Sequence, residues 1–367
     1  MITKQQLTTQ LATLVSMKTL PGDIEANSTA LDYIQTLISK NAVIRRVQNN
    51  TAEILLAGNK SNSELLNPEI GYMVHVDVVA AEEKLFTMSV TDSIAKGRGV
   101  SDMKYSIPIG IALLNELIEK NSSKSFTLVI TTDEEVGGFN GALFLAKEMK
   151  FRPKVLIVPD GGDNLVFVNK SKGVLPLRLT CSGTAAHASQ PWEGKSAIVP
   201  LCEIITKLAK KYQKNSLKKN WNTTLNFGKI NGGISTNQVC PQATLDLDFR
   251  FPESTTMDEI FSDTKRIIDS VDPTISIEKL STGQTTFTDK NLPIVKKFIR
   301  SMESAVQQKI KILPTYGASD ARHFTDYKIP VLMIKPIGGD IHQSTEWINL
   351  DSCIQFSNGL RNFLEIK

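Results

Sequence analysis

The sequence predicts a two-domain α/β protein in which a ferredoxin-like domain interrupts a layered mixed sheet. Three observations lead to this prediction. Short apolar runs alternate with helical patterns up to Gly173, the order then changes to β-α-β-β-α-β, and the first pattern returns after Thr282. A chain of 367 residues also suits two domains better than one. We therefore expect one domain from residues 1–173 and 283–367, with residues 174–282 inserted into it.

The first domain is predicted to begin with two amphipathic helices. Leu7, Leu11 and Leu14 fall on one helical face, and Thr3 and Gln6 have the spacing of a capping box. Apolar runs then predict strands at residues 42–47, 52–57, 71–79, 126–131 and 155–158, with helices at 107–118 and 142–149. Strands that alternate with helices in this way form a sheet covered by helices.

The inserted domain contains the six elements of the ferredoxin-like pattern. Strands are predicted at residues 174–181, 224–230, 243–251 and 275–280, with helices at 197–212 and 257–271. The return to the first domain is marked by helices at 294–306 and 353–364 and by strands at 311–316 and 331–334. Both crossings between the domains therefore fall in short connecting segments.

The composition excludes several classes of protein. Hydrophobic residues make up 41% of the chain and charged residues 22%, as in a globular protein with a sizeable core. A net charge of +4 without a dense basic run argues against nucleic acid as a partner, and no apolar stretch predicts a membrane span. The four cysteines lie far apart without a CxxC pair, so we expect reduced thiols and a cytoplasmic location.

A histidine and an aspartate near the end of the third predicted strand are the first indication of a site. His75 stands in GYMVHVDVV, with Asp77 two residues later. Because residues two apart in a strand share a face, the Asp77 carboxylate can hold the His75 ring in the orientation that a metal ligand needs. Taken alone, the pair fits a structural polar strand end equally well.

Further acids and one histidine stand at comparable positions. Asp102 follows a glycine-rich turn in GRGVSDMK, and the remaining candidates are Asp133, Glu134 and Glu135 in TTDEEVGG, Asp160 in VLIVPD and His342 in IHQSTEW. Consecutive acids are unfavourable unless a cation neutralises them or water surrounds them. Ligands of α/β sheets bind at the carboxyl ends of the strands, so these residues predict a cation site at that edge.

Six motifs occur in one fixed order: HVD, GRGVSDMK, DEEVGG, VPD, GTAAHASQP and IHQSTEW. In this order the chain resembles the family that contains aminoacylase, succinyl-diaminopimelate desuccinylase, acetylornithine deacetylase and related di-, tri- and carboxypeptidases. The resemblance covers essentially the whole chain. It implies a zinc-hydrolase catalytic domain, an inserted lid and dimerisation domain, a homodimer, and cleavage of the amide bond of a small peptide or N-acyl amino acid.

The resemblance further implies a site for two zinc ions, with Co²⁺ or Mn²⁺ as substitutes. Carried over residue by residue, His75 and Asp160 would hold one zinc, and Glu135 and His342 the other. Asp102 would bridge the two ions, and the peptide bond after it would be cis. Imidazole nitrogen and carboxylate oxygen are ligand types that zinc takes.

Catalytic and substrate-binding roles follow from the same resemblance. Glu134 would be the general base that takes a proton from the water between the zincs and passes it to the departing amine. Asp77 would support His75, and His187 would stabilise the oxyanion across the dimer interface. The substrate-binding residues would be Asn237, Arg250, Gly317 and Arg322. For Arg250 an exposed charge on a strand is a serious alternative.

Departures from the family pattern bear on the substrate. Asp160 stands where glutamate accompanies deacylases and desuccinylases, whereas aspartate accompanies di- and tripeptidases, so the sequence favours a peptidase. Tyr105 replaces a common glycine after DMK, which would narrow the pocket or reshape the start of the following helix.

Three alternatives remain at this point. The first is a deacylase that removes a succinyl or acetyl group in amino acid biosynthesis. The second is a catalytically silent metal-binding relative, against which the intact Glu134 and Asp102 argue. The third is a metal-storage or nucleic-acid protein, for which the chain has too few clustered thiols and too little positive charge.

Overall fold

A computed structural model describes residues 1–366 of the chain. The polypeptide divides into two compact units: Ser171–Thr286 forms unit 2, and the described residues on either side of it form unit 1. The unit 2 segment encloses the predicted inserted range of residues 174–282. The predicted fold class, an α/β protein with a ferredoxin-like insertion, is confirmed.

Helices and strands alternate along the described chain. The helices are α1 Lys4–Ser16, α2 Ile24–Leu37, α3 Asn62–Leu65, α4 Ser106–Glu119, α5 Ala142–Lys147, α6 Ile198–Ser216, α7 Met257–Asp269, α8 Pro293–Val306 and α9 Leu350–Leu364. The strands are β1 Val43–Asn49, β2 Ala52–Gly58, β3 Ile70–His75, β4 Ser89–Thr91, β5 Ile94–Lys96, β6 Phe126–Thr131, β7 Val155–Ile157, β8 Val166–Ser171, β9 Gly173–Ser182, β10 Thr224–Gly232, β11 Gln242–Phe251, β12 Ser276–Lys279, β13 Thr286–Phe287, β14 Lys311–Thr315, β15 Val331–Leu332, β16 Gly338–Gly339 and β17 Trp347–Asn349.

A six-stranded mixed sheet with the order β1-β2-β6-β3-β7-β15 forms the centre of unit 1. The β3, β6, β7 and β15 strands run parallel, and β1 and β2 add an antiparallel edge. Successive side chains alternate between its two faces: Tyr72 and Val74 pack in the larger core with α1, α2, α4, α8 and α9, whereas Met73 packs in a second core with α5. Helices therefore cover both faces, which explains why these strands are almost continuously apolar.

Smaller sheets complete unit 1. One has the strand order β16-β17-β5-β4 and the other the order β13-β8-β14. Strand β14 was predicted from the sequence at residues 311–316, whereas β4, β5, β13, β16 and β17 contain only two or three residues each and were not predicted. Over residues 1–366, no helix combines the length and the apolar character that are needed to cross a bilayer.

Unit 2 is a four-stranded antiparallel sheet with the order β10-β11-β9-β12. Leu175, Leu177 and Leu179 of β9 lie in one apolar core with Leu201 of α6 and Ile260 of α7. The ends of the segment are joined by a hydrogen bond of 2.7 Å between the Ser171 and Thr286 hydroxyl groups. The sequence pattern predicted each of its six elements within a few residues.

Candidate metal centre

Three neighbouring parallel strands place the predicted site residues at one edge of the central sheet. His75 is the last residue of β3 and lies opposite Thr131, the last residue of β6. Glu134 and Glu135 follow β6, and Asp160 follows β7, which pairs with β3 on its other side. Because the carboxyl ends of parallel strands meet at the same edge, residues far apart in the sequence come together here.

The Asp102 carboxylate lies between two histidines. Its Oδ1 atom is 3.2 Å from Nε2 of His75, and its Oδ2 atom is 3.3 Å from Nε2 of His342. The same His342 nitrogen lies 3.0 Å from Oε2 of Glu135. The ligand atoms of Asp102, Glu135 and His342 all lie within 4.8 Å of one another. Carboxylate oxygens and imidazole nitrogens that converge in this way fit a divalent cation, and the two-sided placement of Asp102 suits a bridging ligand.

Charge and burial at this edge shift the protonation of several groups. Hydrogen bonds with Asp102 and Glu135 raise the pKa of His342 to about 10. Burial raises the pKa of Asp160 to about 6, and the charge of Asp102 acts in the same direction. Burial also raises the pKa of Glu134 well above its usual range. A cation would supply the positive charge that these acids otherwise draw from protons, so the electrostatics support the same fit.

The predicted Gly71–Val79 strand ends at His75, which corrects the expected geometry of Asp77. Asp77 therefore lies outside the strand, in the segment that follows it. The closest acceptor of His75 Nδ1 is the backbone oxygen of Asp77 at 2.9 Å, while the nearest carboxylate oxygen is 3.5 Å away. The Asp77 carboxylate also accepts a hydrogen bond from the backbone N–H of Glu135 at 3.0 Å. Asp77 thus contacts two segments of the site.

The three consecutive acids after β6 differ in their surroundings. Asp133 is buried, and its Oδ2 atom accepts hydrogen bonds from the backbone N–H groups of Asn140 at 2.9 Å and Gly141 at 3.1 Å. It therefore holds the following turn. Glu135 contacts His342. Glu134, which lies between Asp133 and Glu135 in the sequence, begins a short 3₁₀ helix. Glu134 stays the candidate base as predicted, and Asp133 has a structural role in holding the turn.

The turn that carries Asp102 leads directly into α4. The peptide bond between Asp102 and Met103 is cis, so this expectation is confirmed. Tyr105 is fully buried, and its hydroxyl group donates a hydrogen bond of 2.6 Å to the Pro159 carbonyl oxygen. The Tyr105 ring therefore lies in the protein interior, beside the segment that carries Asp160.

The predicted pocket residues of the GASDAR segment have different partners. Arg322 donates a hydrogen bond from Nη2 to the Gly137 carbonyl oxygen at 2.7 Å, which places its guanidinium beside the loop of Glu134. Gly317 has open space where a Cβ atom would lie, so packing does not require a glycine there. His323 is buried, and its Nε2 lies 2.9 Å from the same carbonyl oxygen.

In unit 2, His187 and Asn237 lie on adjacent chain segments. The backbone N–H of Ala188 donates to the Asn237 carbonyl oxygen at 2.9 Å. His187 is exposed, and its Nδ1 accepts a hydrogen bond of 3.2 Å from the backbone N–H of Ser189. Because a backbone N–H can only donate, the neutral ring carries its proton on Nε2, which leaves that N–H directed away from Ser189 as a donor.

Arg250 of β11 already has an acidic partner. Its Nε and Nη2 atoms lie 2.9 and 3.0 Å from the two carboxylate oxygens of Asp248. This bidentate pair occupies the Nε–Nη2 edge of the guanidinium, which is one of the edges with which arginine binds a carboxylate. Asp248 thus gives Arg250 a structural partner within unit 2, where its side chain is half-buried, and its substrate role stays a prediction.

Two residues near the metal centre were not singled out from the sequence. Asp320 of GASDAR is buried against Gly138, where an added Cβ atom would lie 2.0 Å from Asp320 Oδ1. Burial raises the pKa of Asp320 to about 7. The second is Glu346, a buried carboxylate in IHQSTEW. The sequence did contain a signal for both: each is an acidic residue inside a motif that had been noted for another residue, Arg322 in GASDAR and His342 in IHQSTEW.

Comparison with known protein families gives a match in the region of unit 2. Residues 169–275 match the family model described as a peptidase dimerisation domain. Over 345 residues the chain is 25% identical to the succinyl-diaminopimelate desuccinylase of Nitrosomonas eutropha, an alignment that covers 84% of this chain and 90% of that protein. A probable carboxypeptidase of Aspergillus flavus is 29% identical over 204 residues, which cover 51% of this chain and 47% of the relative.

Solved structures support the fold over the full length. A tripeptidase from Staphylococcus aureus superposes with a TM-score of 0.78 at 20% identity and covers 100% of this chain and 99% of its own. An M20 family metallo-carboxypeptidase from Sulfolobus solfataricus gives a TM-score of 0.83 at 17% identity and covers 99% of each chain. Identities this low carry information about the fold alone.

Proposed function

We propose a specific reaction from the premise that the chain belongs to the M20 family of metal-dependent peptidases and amide hydrolases. As a member of that family it is a hydrolase of amide bonds that uses a divalent metal. The reaction proposed is hydrolysis of the amide bond of a small peptide, with two zinc ions at the carboxyl edge of the central sheet.

The observation that carries the proposal is the position of Asp102 between His75 and His342. Each of its two carboxylate oxygens faces a different imidazole, at 3.2 and 3.3 Å. Glu135 contacts the second histidine, and the buried Asp160 lies close enough to Asp102 for each charge to act on the other. These five residues would hold the pair of cations, with Asp102 shared.

Glu134 supplies the acid–base chemistry in this proposal. Bound divalent cations would acidify water and polarise the scissile carbonyl. The Glu134 carboxylate accepts the proton that the attacking water loses, and it then donates that proton to the amine as the C–N bond breaks. Its position next to Glu135, at the strand end that carries the metal centre, brings the base to the place where such a water would lie.

A deacylase is the second candidate reaction. The succinyl-diaminopimelate desuccinylase of Nitrosomonas eutropha, which aligns with 84% of this chain, has a name that describes removal of an acyl group. The aspartate at position 160 favours a peptidase instead, by the resemblance described above. Both reactions break the same kind of bond at the same site and differ only in the acyl side that the pocket accepts.

The proposed assembly is a homodimer formed through unit 2. The match of residues 169–275 to a peptidase dimerisation domain supports it. In the dimer His187 would donate its Nε2 proton to the developing oxyanion of the partner subunit's site. The four free cysteines suit a reducing compartment, so a cytoplasmic location belongs to the same proposal.

A substrate panel tests the proposed reaction. Zinc-loaded protein is incubated with dipeptides, tripeptides, and N-succinyl and N-acetyl amino acids, and the released amine is measured. We expect release from unmodified small peptides and none from the same preparation carrying Glu134→Gln. Release from acylated amino acids alone would support the deacylase. No release from any amide substrate by protein that holds two equivalents of metal would contradict the proposal.

A further inference from the structure

Glu346 lies four residues after His342, next to the turn that carries Asp102. Its side chain is buried, with 1% of its surface exposed, and its carboxylate accepts hydrogen bonds from four donors. The donors are Arg98 Nη1 at 2.6 Å and the backbone N–H groups of Gly99 at 3.0 Å, Ser101 at 2.9 Å and Asp102 at 3.2 Å. Four acceptor positions are about what one carboxylate offers, so this group is fully satisfied.

The two carboxylate oxygens divide the turn between them. Oε2 accepts from Arg98 and Gly99, and Oε1 accepts from Ser101 and Asp102. Gly99 has a φ of 82°, and an added Cβ atom there would lie 2.6 Å from Val78, so a residue with a side chain does not fit at this position of the turn. One side chain therefore holds the whole turn, including the backbone nitrogen of the residue that faces both histidines.

A purely structural ion pair would be built differently. Glu116 provides the comparison, because it is also a buried glutamate of unit 1 with an arginine partner, Arg361, at 2.9 Å. The other partner of Glu116 is the N-terminal amine, and its carboxylate accepts no hydrogen bond from the backbone of a site loop. Three of the four donors to Glu346 are backbone N–H groups of the Asp102 turn. This difference separates a group that orients a ligand from one that only stabilises the fold.

The connection to the other side of the metal centre is short. Only residues 343–345 separate His342 from Glu346. The carbonyl oxygen of Glu346 also accepts a hydrogen bond from the Gly97 N–H at 3.3 Å. The segment that carries His342 and the turn that carries Asp102 are therefore fixed to each other through Glu346.

We propose that Glu346 is a positioning residue for the metal centre: it sets the orientation of Asp102 and its register with His342. The inference rests on the proposed function because it assumes that Asp102 binds metal. Glu346 faces backbone N–H groups and has no free oxygen with which to bind a cation. Removing its carboxylate should therefore weaken metal binding through Asp102 while leaving the substrate pocket unchanged.

The test is Glu346→Gln, with Glu116→Gln as a matched control. A glutamine offers one oxygen, so in either orientation its NH₂ group faces two N–H donors of the turn. We expect Glu346→Gln to bind Zn²⁺ about 10- to 100-fold more weakly in competition with a chromophoric chelator, as is typical when a residue that orients a ligand is changed. With saturating zinc, kcat should fall and KM should stay within about twofold of the unchanged protein. Glu116→Gln should lower thermal stability and leave zinc affinity unchanged.

A second variant keeps the proposal testable if Glu346→Gln does not fold. Glu346→Asp retains the charge but is one methylene shorter, and we expect it to bind zinc more weakly than the unchanged protein and to stay folded by circular dichroism. Unchanged zinc affinity in either folded variant, or an equal loss in Glu116→Gln, would overturn the inference. Failure of the proposed function gives a different result: the unchanged protein would bind zinc but hydrolyse no amide, and the affinity comparison would still decide the role of Glu346.

Discussion

The carboxylate of Asp77 accepts a hydrogen bond from the backbone N–H of Glu135 at 3.0 Å, while its carbonyl oxygen lies 2.9 Å from Nδ1 of His75. One residue therefore contacts the segments that follow both β3 and β6. Since His75 and Glu135 are assigned to different cations in the proposed site, Asp77 fixes the separation of two ligands.

Asp77→Ala is expected to weaken zinc binding by about 10- to 100-fold, because the hydrogen bond between its carboxylate and the Glu135 N–H is lost and Glu135 is no longer held. A chelator competition assay measures the change. Asp246→Ala, which removes an ion pair with Arg178 in unit 2, is the control and should leave zinc affinity unchanged. Equal affinities for all three proteins would show that Asp77 does not organise the centre.

Glu134→Gln is expected to lower kcat by a factor on the order of 10² to 10⁴, the usual contribution of a general base, because an amide cannot accept the proton of water. Metal content, measured by elemental analysis, should stay the same. Glu148→Gln, at an exposed position, serves as the control. Substantial turnover in Glu134→Gln would mean that another group accepts the proton.

Asp102→Ala is expected to remove the dependence of stability on metal. A ligand that binds only the folded state at 100 times its Kd stabilises it by about 2.7 kcal/mol. The unchanged protein should therefore melt at a higher temperature in excess zinc than in EDTA, and Asp102→Ala should show almost no difference. If the variant kept the full zinc-dependent shift, Asp102 would not be a shared ligand.

His323 is predicted to make stability depend on pH. Burial lowers its pKa to about 4, and the charge of Arg322 adds to this effect. In the unfolded chain the pKa of histidine is about 6.5, so the unfolded state binds more protons between these values. Stability from this residue is complete above pH 6.5 and is lost as the pH falls toward 4, by up to about 3 kcal/mol.

The measurement for His323 is urea unfolding in EDTA at pH 7, 6, 5 and 4.5, compared with His323→Asn. The variant should be less stable at pH 7, because it loses packing against Phe139, but its stability should fall less as the pH is lowered. Parallel pH profiles for the two proteins would show that His323 does not titrate as described.

His187→Ala is expected to reduce turnover without loss of metal, because the proposed role is donation to an oxyanion. Mixing it with Glu134→Gln tests whether His187 acts across a dimer. After subunit exchange, some heterodimers would contain one complete site, and activity should return. Absence of recovery after exchange has been verified by mass spectrometry would place His187 in its own subunit's reaction or outside the reaction altogether.

Residue periodicity was sufficient for the elements that bury a whole face. Strands β3 and β6 and helix α4 are long apolar segments, and their limits lie within a few residues of the predicted ones, apart from the carboxyl end of β3. That strand was predicted to run to residue 79 because Val76 and Val78 continue the apolar pattern, and both are buried although they lie outside the sheet. Apolar character reports burial, and hydrogen bonding decides where a strand ends.

Contacts within the site were harder to predict than its members. His75, Asp102, Glu135 and His342 stood out because each occupies a recognisable motif. Glu346 gave no comparable signal, since its four partners lie about 245 residues earlier and three of them are backbone groups that any residue type could supply. A partner that is recognised through the backbone leaves no pattern of side chains in the sequence.

The Ser171 and Thr286 hydroxyl groups, at the two ends of unit 2, lie 2.7 Å apart, which bears on whether unit 2 can be deleted and on how it was acquired in evolution. Outside unit 2, the backbone N–H of Thr288 donates to the Asn169 carbonyl oxygen at 2.8 Å, so the chain segments on either side of unit 2 are also neighbours. A short glycine–serine loop that joins Asn169 to Thr288 could therefore replace unit 2 without a change in the backbone of either residue. Because its two ends are neighbours, the segment has the geometry of an inserted domain. A single recombination event could add such a domain to a one-unit protein or remove it again.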